Sequence, residues 1–401
     1  MSGALDGIKV LDLSQGAAGP TCSTHLGDMG ADILKVEPPD GEWGRRLGPP
    51  FVEGVAAVFL GINRNKRSVV IDLKKPGGAE VVLRISEQCD IVLESFRPGV
   101  ADRLGIGYET MAAGNPRLIY AAVSGFGQSG PWRDRPGVDG VAQAMGGIMS
   151  VTGTADGPPV KVGVPVADMA AGVFASQAIL AALFARERTG RGQRVDVSLL
   201  DSLLAFQTVP LSMFLASGKS PQRSGSAAPY AAPNEAFPTR DGHVMVAAYT
   251  TKRWHAFCGA LGRPELATDP RFDTNDKRVR GRTELRDTLE PLFRERTTAE
   301  WMAALDEADV ICGPLLGYTE LIAEEHIVQS GSLVTTEHPA VGEIRATALP
   351  SRFSETRADV AGPAPFLPGE HSVAILDECG FGRDEIGDLI HSGVVVSAAF
   401  R

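Results

Sequence analysis

One aspartate stands where a nucleophilic carboxylate could act. Asp168 follows a strand-like apolar run that begins at Lys161 and turns at Pro165, and it opens an Ala-rich stretch that predicts a buried helix over Asp168–Arg186. A carboxylate can attack an activated acyl carbon to give a mixed anhydride, and N–H groups at a helix start would stabilise the developing oxyanion. Aspartate is also a favoured N-cap residue, worth about 1 kcal/mol, so helix capping explains the same position.

Residue patterns of other active sites do not occur in the sequence. Ser124 precedes Gly125 without the GxSxG order of a nucleophile elbow. The turn after the first predicted strand reads Gly16-x-x-Gly19-Pro20 rather than GxGxxG, and no Walker motif occurs. The seven histidines form no HExxH or HxH pattern, so we expect no metal site. Among them, His371 stands out because it lies in a predicted loop, Gly369–Ser372.

Composition narrows the class of protein. The net charge of −10 would repel a phosphate backbone, so we expect no nucleic-acid partner. The five cysteines are scattered without a CxxC pair, the N-terminus has no signal pattern, and no apolar run approaches a membrane span. We therefore expect a cytoplasmic protein without a membrane partner. Two basic segments, Arg45–Arg46 and Asn63–Arg67, are expected to be solvated loops more often than binding patches.

The elements around Asp168 alternate between strand and helix. Strands are predicted at 8–13, 30–37, 68–73, 90–94, 118–124 and 191–198, with helices ending near 28 and at 76–88, 98–105, 168–186 and 199–215. This order predicts an α/β fold with a Rossmann-like, doubly wound parallel sheet. Ligands of such sheets bind at the carboxyl ends of the strands, where cations, small residues and an aromatic ring suit an anionic, partly planar ligand. These ends carry Ser14–Gln15, Lys74–Lys75, Ser95–Phe96–Arg97 and Ser124–Gln128.

Composition shifts along the chain predict its division. We expect a large Rossmann-like domain at 1–215, a Ser/Gly/Pro/Ala-rich linker at 216–233 and a small α+β domain at 234–312. The small domain should contain a hairpin at 234–248 with Asp241–Gly242 at its turn. The loose, Pro-rich segment 313–401 should return to the large domain or cover a partner chain.

The ordered set of short motifs along nearly the whole chain resembles the class III CoA-transferases, a family that includes formyl-CoA transferase, carnitine CoA-transferase and, as a divergent branch, α-methylacyl-CoA racemase. Each motif is weak alone, but their order and spacing together are specific. The motifs are Leu11–Ser14 with Ala18–Pro20, Leu26–Pro38, Asn65–Ser68, Asp72–Lys74, Phe96–Gly99 with Arg103, Tyr120, Ser124–Gly127, Gly153 with Asp156–Pro159, Asp168, Gly190–Gln193, Leu261–Pro264 and Asp269–Phe272.

This resemblance implies that Asp168 is the catalytic nucleophile of a ping-pong reaction through aspartyl anhydride and aspartyl-CoA intermediates. It implies coenzyme A and acyl-CoA as substrates, with no tightly bound cofactor and no metal, and an interlocked ring-like homodimer. The family's CoA-contacting segments fall on Ile71, Asp72, Leu73, Lys74, Ser95, Phe96, Arg97 and Arg103.

Three activities remain open, and a CoA-transferase is favoured. The racemase branch carries a histidine where this chain has Val138, which cannot transfer a proton. A CoA-binding protein without turnover, in which Asp168 only caps its helix, is the third alternative. Ala17, Ser95 and the segment Arg223–Pro229 depart from the formyl-CoA transferase pattern and argue against oxalate as acceptor.

The resemblance makes a small dicarboxylate such as succinate the expected acceptor. A second carboxylate needs a cation or a polar group near the nucleophile. The expected candidates are Arg45, Arg46 and the polar loop near Asn234.

Overall fold

The computed structural model describes residues 3–358 and 362–398 of the 401-residue chain. The chain forms two compact units. The first contains residues 1–147, 162–211 and 326–401, and the second contains residues 148–161 and 212–325. Each unit has its own sheet and its own buried core.

Strands occur in both units of the described chain. In chain order they are β1 (Lys9–Asp12), β2 (Asp32–Glu37), β3 (Phe51–Val52), β4 (Val55–Ala56), β5 (Lys66–Ile71), β6 (Ile91–Glu94), β7 (Ile119–Ser124), β8 (Arg194–Ser198), β9 (Asn234–Pro238), β10 (His243–Ala247), β11 (Ile311–Pro314), β12 (Leu333–His338), β13 (Gly342–Thr347) and β14 (Val395–Val396).

Helices connect most of these strands, with short 3-10 helices at Trp43–Arg46 and Pro264–Ala267. They are α1 (Ala18–Asp28), α2 (Ala57–Ile62), α3 (Gly78–Ser86), α4 (Val100–Arg103), α5 (Tyr108–Gly114), α6 (Asp139–Met145), α7 (Ile148–Val151), α8 (Val166–Thr189), α9 (Leu199–Phe206), α10 (Thr208–Ser217), α11 (Thr251–Ala260), α12 (Asn275–Arg280), α13 (Arg282–Phe293), α14 (Thr298–Glu307), α15 (Tyr318–Leu321), α16 (Glu325–Ser330), α17 (Ser372–Glu378) and α18 (Arg383–His391).

A seven-stranded sheet organises the first unit. Its strand order is β14-β5-β2-β1-β6-β7-β8, and every pair is parallel except β14 with β5. From β1 the chain first adds β2 and β5 on one side, and it later adds β6, β7 and β8 on the other. The order therefore reverses between β1 and β6, where open α/β sheets form a crevice at the strands' carboxyl ends. The parallel-rich sheet agrees with the predicted fold class.

The two strands beside this crevice are buried along their whole length. All residues of β6 and of β7 are shielded from solvent, as expected for parallel strands that are covered on both faces. Apolar side chains from these strands, from α3 and from α17 form the core on one face of the sheet. The carboxyl ends of β6 and β7 are thereby held in fixed positions.

The long helix α8 packs on α1 through a glycine. A Cβ atom at Gly172 would lie 2.9 Å from the Ala18 carbonyl oxygen and from the Thr21 side chain, so only glycine lets these backbones approach. This contact brings the start of α1 beside the start of α8. By length and composition α8 could span a membrane, as could many buried core helices, so the expectation that no run approaches that length is wrong.

The second unit has a separate aromatic core beside a three-stranded antiparallel sheet, β11-β10-β9. The predicted hairpin is confirmed, because β9 and β10 pair antiparallel on either side of Asp241–Gly242. Phe237 and Phe293 stack with ring centroids 4.6 Å apart. The fully buried Arg278 donates to three backbone carbonyls, which compensates the cost of burying its charge.

Two sequence predictions of local structure are wrong. The predicted helix 199–215 is two helices, α9 and α10, separated at Gln207. The basic segments are not solvated loops, because Arg45, Arg64 and Lys66 are buried and bound to carboxylates. Charge alone did not reveal their acidic partners, which lie elsewhere in the sequence.

These partners form a buried ion network behind β1, β2 and β5. Its salt bridges join Lys35 to Glu42 at 3.1 Å, Arg45 to Glu37 at 2.6 Å and Lys66 to Asp12 at 3.4 Å. Burial opposes ionisation of Asp12, but the charges of Lys35 and Lys66 lower the pKa of its carboxyl to about 2. The paired charges of the network therefore offset part of the cost of burial, although burial still raises the pKa of Glu42.

Candidate active site

A cavity of about 440 Å³ opens at the carboxyl ends of β1, β6 and β7, at the point where the strand order reverses. Asp168 lines it, and we call it the Asp168 cavity. Its other lining residues are Gln15, Gly16, Ala17, Ala18, Trp43, Ser95, Phe96, Arg97, Pro98, Val123, Ser124, Gly125, Arg133, Arg135, Pro136, Gly137, Val138 and Leu199.

Asp168 does not cap its helix. Helix α8 begins at Val166, two residues earlier than predicted, and Asp168 lies in its first turn without making a side-chain cap. The backbone N–H of Ala167 instead donates to Asp139 at 2.9 Å, so a residue of α6 supplies the capping carboxylate. The capping explanation of Asp168 is therefore wrong, and its carboxylate is available for another role.

The Asp168 carboxylate is poorly compensated. Within residues 3–358 and 362–398, no group donates a hydrogen bond to it and no cation pairs with it. Burial first, and the negative charge of Asp139 second, raise the pKa of Asp168 to about 7. A carboxylate that is weakly solvated and more basic than usual is a better nucleophile, and such shifts are typical of functional sites.

Hydrogen bonds lock together the two turns that form one wall of the cavity. The backbone N–H of Gln15 donates to Ser95 Oγ at 2.9 Å, which joins the turn after β1 to the turn after β6. Glu94 accepts the Phe96 N–H at 2.6 Å, and Lys35 Nζ donates to the Ser14 carbonyl at 3.0 Å. The buried ion network thus supports the backbone that faces Asp168.

The start of α1 offers backbone donors to the same cavity. No side chain caps this helix, and its first residues, Ala17 and Ala18, line the cavity. The first N–H groups of a helix lack intrahelical acceptors and carry the positive end of its dipole. They are suited to stabilise negative charge that develops on a substrate oxygen beside Asp168.

Two guanidinium groups converge outside this wall. A Cβ atom at Gly99 would lie 3.3 Å from Arg103 Nη1 and 3.8 Å from Arg133 Nη2, so both groups lie beside the same glycine. In the described part of the chain, neither arginine side chain has a carboxylate partner or a hydrogen bond. Two adjacent unpaired cations favour a multiply charged anion such as a phosphate.

The predicted CoA contacts fall into two groups. Ser95, Phe96 and Arg97 line the Asp168 cavity, as the sequence expectation required. Arg103 lies next to it through Gly99 and Arg133.

Ile71 ends β5, and Asp72, Leu73 and Lys74 follow it. These four residues are not among those that line the cavity. They lie at the same edge of the sheet, two strands from β1. Ile71 pairs with Val395, the Asp72 N–H donates to the Val394 carbonyl, and Lys74 is exposed.

The candidates for holding an acceptor carboxylate fare differently. The prediction that Arg45 holds the acceptor carboxylate is wrong. Its guanidinium donates twice to Glu37 and once to the Phe366 carbonyl, and it lies over the Phe59 ring. Arg46 is exposed and donates to the Asp40 carbonyl. Asn234 starts β9 in the second unit.

Several residues beside Asp168 were not singled out from the sequence. They are Arg133 and Arg135, Asp139, and Trp43. The available signal was the cluster Arg133-Asp-Arg135 in a Gly/Pro-rich loop just before Val138, the position compared with the racemases. Val138 lines the cavity and is 61% exposed.

His371 is not among the residues that line the Asp168 cavity and instead contacts β5. Its Nδ1 accepts the Ser68 N–H at 3.2 Å, and its own N–H donates to the Ser68 carbonyl, so it ties the start of α17 to β5. Burial lowers its pKa. No cluster of three or more metal-binding side chains occurs within the residues that the structure describes.

Known proteins are similar to this chain over most of its length. The family model of CoA-transferase family III matches residues 5–372. The chain is 37% identical over 393 residues to a succinyl-CoA:glutarate CoA-transferase of Mus musculus, with 98% of this chain and 90% of that protein covered. It is 40% identical over 344 residues to an acetyl-CoA:oxalate CoA-transferase of Acetobacter aceti, with coverage of 84% and 88%.

A solved structure of a similar protein has the same fold as this chain. The crystal structure of a CaiB/BaiF family protein from Brucella suis matches with a TM-score of 0.84 at 37% identity, covering 94% of this chain and all of that one. The chain therefore belongs to the family III CoA-transferases and is an enzyme of that family.

Proposed function

We propose that this enzyme moves coenzyme A between carboxylic acids through covalent intermediates on Asp168. The observation that carries the proposal is the uncompensated Asp168 carboxylate, with a pKa of about 7, in a cavity at the reversal point of the sheet. The cavity holds the nucleophile, backbone donors and unpaired cations together. These are the parts that acyl transfer from an anionic thioester requires.

The reaction proceeds in four steps with balanced bonds. An Asp168 oxygen attacks the donor acyl carbon, the C–S bond breaks, and CoA leaves as a thiolate. The thiolate attacks the Asp168 carbonyl of the anhydride, which releases the donor acid as a carboxylate and leaves an aspartyl-CoA thioester. The acceptor carboxylate attacks that thioester to form a second anhydride and thiolate. The thiolate then takes the acceptor acyl group, which restores the Asp168 carboxylate.

Each anhydride and thioester step forms a tetrahedral oxyanion. The start of α1 lies at the cavity wall with Ala17 and Ala18, and the first N–H groups of a helix have no intrahelical acceptors. Removal of one donor from such a site in other enzymes costs about 3–4 kcal/mol in the barrier. We assign the stabilisation of these oxyanions to this helix start.

Coenzyme A extends from Asp168 over the turn after β6 in this proposal. Phe96 offers an aromatic surface, and Arg103 with Arg133 forms a cation pair for the phosphates. The residues Ile71–Lys74 lie further along the same sheet edge, where the nucleotide end of the coenzyme would reach.

We propose a small dicarboxylate such as succinate or glutarate as the acceptor. The similar enzymes of Mus musculus and Acetobacter aceti are named for the dicarboxylates glutarate and oxalate. The unpaired arginines of the cavity supply the positive charge that a second carboxylate requires. The oxalate relative weakens the sequence argument against that acid, and a direct comparison of acceptors decides between them.

A racemase-type isomerase is the second candidate. It needs a proton-transferring pair across the α-carbon, and Val138 at the cavity wall cannot supply one member. A binding protein without turnover would leave the raised pKa and the missing capping role of Asp168 without explanation. A transferase accounts for both features.

We further propose the interlocked homodimer of the family and a reducing compartment such as the cytoplasm. Large apolar side chains of α8 and α9 are exposed in the single chain, with Phe184 at 67% and Phe206 at 55%. A second copy of the chain would cover them. All five cysteines are free thiols. Light scattering of the purified protein tests the dimer, which a monomeric mass would contradict.

Trapping the covalent intermediate tests the mechanism. The enzyme is incubated with succinyl-CoA, quenched with hydroxylamine and digested, and the modified residue is mapped by mass. We expect a hydroxamate at Asp168. Deuterium uptake at the α-carbon of 2-methylacyl-CoA without CoA exchange would support the isomerase instead, and CoA binding with neither reaction would support the binding protein.

A further inference from the structure

Arg135 is a cation of the Asp168 cavity to which no group of coenzyme A has been assigned. Arg133 and Arg97 also line a neighbouring cavity of about 280 Å³ on the side of Gly99, where Arg103 lies. Of these two cavities, Arg135 lines only the Asp168 cavity. No carboxylate within residues 3–358 and 362–398 pairs with its guanidinium.

The side chain of Arg135 is held in place by its loop. The N–H of Arg135 donates to the Trp132 carbonyl at 3.0 Å, and the guanidinium carbon lies 6.0 Å from the Trp132 ring centre. Trp132 in turn packs edge-on against the buried Phe126, with centroids 5.9 Å apart. The Trp132 ring is therefore at the outer limit of a cation–π contact with the exposed Arg135 guanidinium, and this contact favours the position of that group at the cavity.

Close backbone contact docks this loop against the sheet. A Cβ atom at Gly137 would lie 2.9 Å from the Gly125 Cα, so the backbone after Arg135 rests directly on the turn that follows β7. The position of Arg135 relative to that turn is therefore set by the fold.

In the described chain, the Asp168 cavity contains one acidic side chain and several arginines that do not pair with it, which suits a ligand with two acidic groups. Asp168 is the one acid among the described lining residues, and its pKa is raised by burial and by Asp139 without an offset from any cation. Within the described residues, no salt bridge or hydrogen bond joins Asp168 to a guanidinium group of the cavity lining. A bound molecule can place one carbonyl carbon at Asp168 and a second, charged group at an arginine.

Coenzyme A does not supply that second group at this place. The pantetheine arm, which carries the thiol, is uncharged, and it separates the phosphates from the thioester. The unpaired pair Arg103 and Arg133 provides a phosphate site beside Gly99, where the Asp168 cavity meets its neighbour at Arg133. The remaining anion next to Asp168 is a carboxylate of the acyl group itself.

We propose that Arg135 binds the distal carboxylate of a dicarboxylic acyl group and so selects dicarboxylates over monocarboxylates of the same length. This inference rests on the proposed function, since it assumes acyl transfer at Asp168. A guanidinium recognises a carboxylate through two parallel hydrogen bonds, which lysine cannot reproduce. A substrate without the distal carboxylate would leave the Arg135 charge without its partner.

Substrate pairs that differ only in the distal carboxylate test the proposal. Succinyl-CoA and butyryl-CoA have four-carbon acyl chains. The kcat/KM for each donor, which in a ping-pong reaction reports only the donor half-reaction, is measured for the wild type, Arg135→Gln, Arg135→Lys and the exposed control Arg383→Gln. We expect Arg135→Gln to slow transfer from succinyl-CoA by about 10- to 100-fold and to leave butyryl-CoA within about 2-fold, since a charged hydrogen bond contributes about 1.5–3 kcal/mol. Arg135→Lys should lose less, and Arg383→Gln should match the wild type.

The outcomes separate the inference from the mechanism. An equal loss on both substrates, or no loss on either, overturns the role of Arg135. A wild type that uses butyryl-CoA as well as succinyl-CoA overturns it as well. Hydroxylamine labelling in the same samples reports the mechanism independently: a label elsewhere than Asp168 contradicts the covalent route, whereas the substrate ratio of Arg135→Gln still decides what that arginine binds.

Discussion

The charged side chains behind β1, β2 and β5 are buried and paired, whereas those around the Asp168 cavity are accessible and unpaired. Arg45 makes three hydrogen bonds, two of them to Glu37, while Arg135 meets no carboxylate in the described chain. The carboxyl pKa of Asp12 is lowered to about 2 by two lysines, despite burial, whereas that of Asp168 is raised to about 7. The same residue types therefore have opposite roles in the two regions.

This difference indicates that the buried ion network stabilises the fold, whereas the groups of the Asp168 cavity are available to a ligand. Groups of the buried ion network pair with one another and are held in place by these salt bridges. Groups of the cavity keep their hydrogen-bonding capacity and their charge for the substrate. The two regions meet at Ser14, where Lys35 of the network holds the turn that faces Asp168.

The largest expected effect follows from removing the nucleophile. Asp168→Ala should lower the rate of CoA transfer by on the order of 10⁴-fold or more, because no other carboxylate lines the cavity in the described residues. Rates of CoA exchange between labelled succinate and succinyl-CoA measure it. Asp156→Ala, outside the cavity, is the control, and full activity of Asp168→Ala would remove the proposed mechanism.

The next effect concerns stability. Lys35→Met leaves the buried Glu42 without its partner and should lower the free energy of unfolding by about 3–5 kcal/mol. Glu187→Gln, which breaks an exposed pair with Arg117, should change it by less than about 1 kcal/mol. Urea unfolding of both variants measures the difference. Equal, small losses would show that the buried pairs do not support the fold.

The cation pair beside Gly99 should affect coenzyme binding and not chemistry. The double variant Arg103→Gln, Arg133→Gln should raise the Kd for free coenzyme A by about 30- to 100-fold, because charged hydrogen bonds to phosphates are lost. Titration calorimetry measures this, and dephospho-coenzyme A serves as a comparison ligand. An unchanged Kd would place the phosphates elsewhere.

Ionisation of the Asp168 carboxyl should also lower the free energy of unfolding. Its folded pKa of about 7 lies above the ordinary aspartate value of 3.8, so the folded state binds a proton between these values while the unfolded state does not. The wild type therefore loses stability as pH rises from about 4 to about 7.

Asp168→Asn removes this loss. It should be more stable than the wild type by on the order of 2 kcal/mol above pH ~7, with the gain disappearing near pH ~4. Thermal unfolding across this range measures the gain. A pH-independent difference would contradict the raised pKa.

The smallest expected effect is a shift of the pH profile. Asp139→Asn removes the charge that helps to raise the pKa of Asp168, while its remaining oxygen can still accept the Ala167 N–H. The acid limb of kcat/KM, near pH ~7 in the wild type, should move down by about 0.5–1 pH unit because burial still acts. An unmoved limb in an active variant would assign the titration to another group.

Short-range patterns were enough to predict the parallel-rich sheet and to single out Asp168 as the candidate nucleophile. Buried apolar runs such as β7 and the Ala-rich α8 have local sequence signals, because a strand covered on both faces is apolar throughout and a core helix is rich in small apolar residues. The turn after β6 and Asp168 were found in the same way, because strand ends and helix starts have local signals. Their joint presence at one cavity agrees with the expectation.

Pairing of charges was decided by the tertiary structure alone. The sequence shows Arg45 and Arg135 as similar cations in Gly/Pro-rich loops. The fold turns Arg45 back onto Glu37, eight residues earlier, whereas no carboxylate of the described chain pairs with Arg135. The start of α8 is a second case, since its capping carboxylate comes from Asp139, 28 residues earlier. Electrostatic energy depends on distances and burial across the fold, so the charge and reactivity of Asp168 emerge only when the chain is folded.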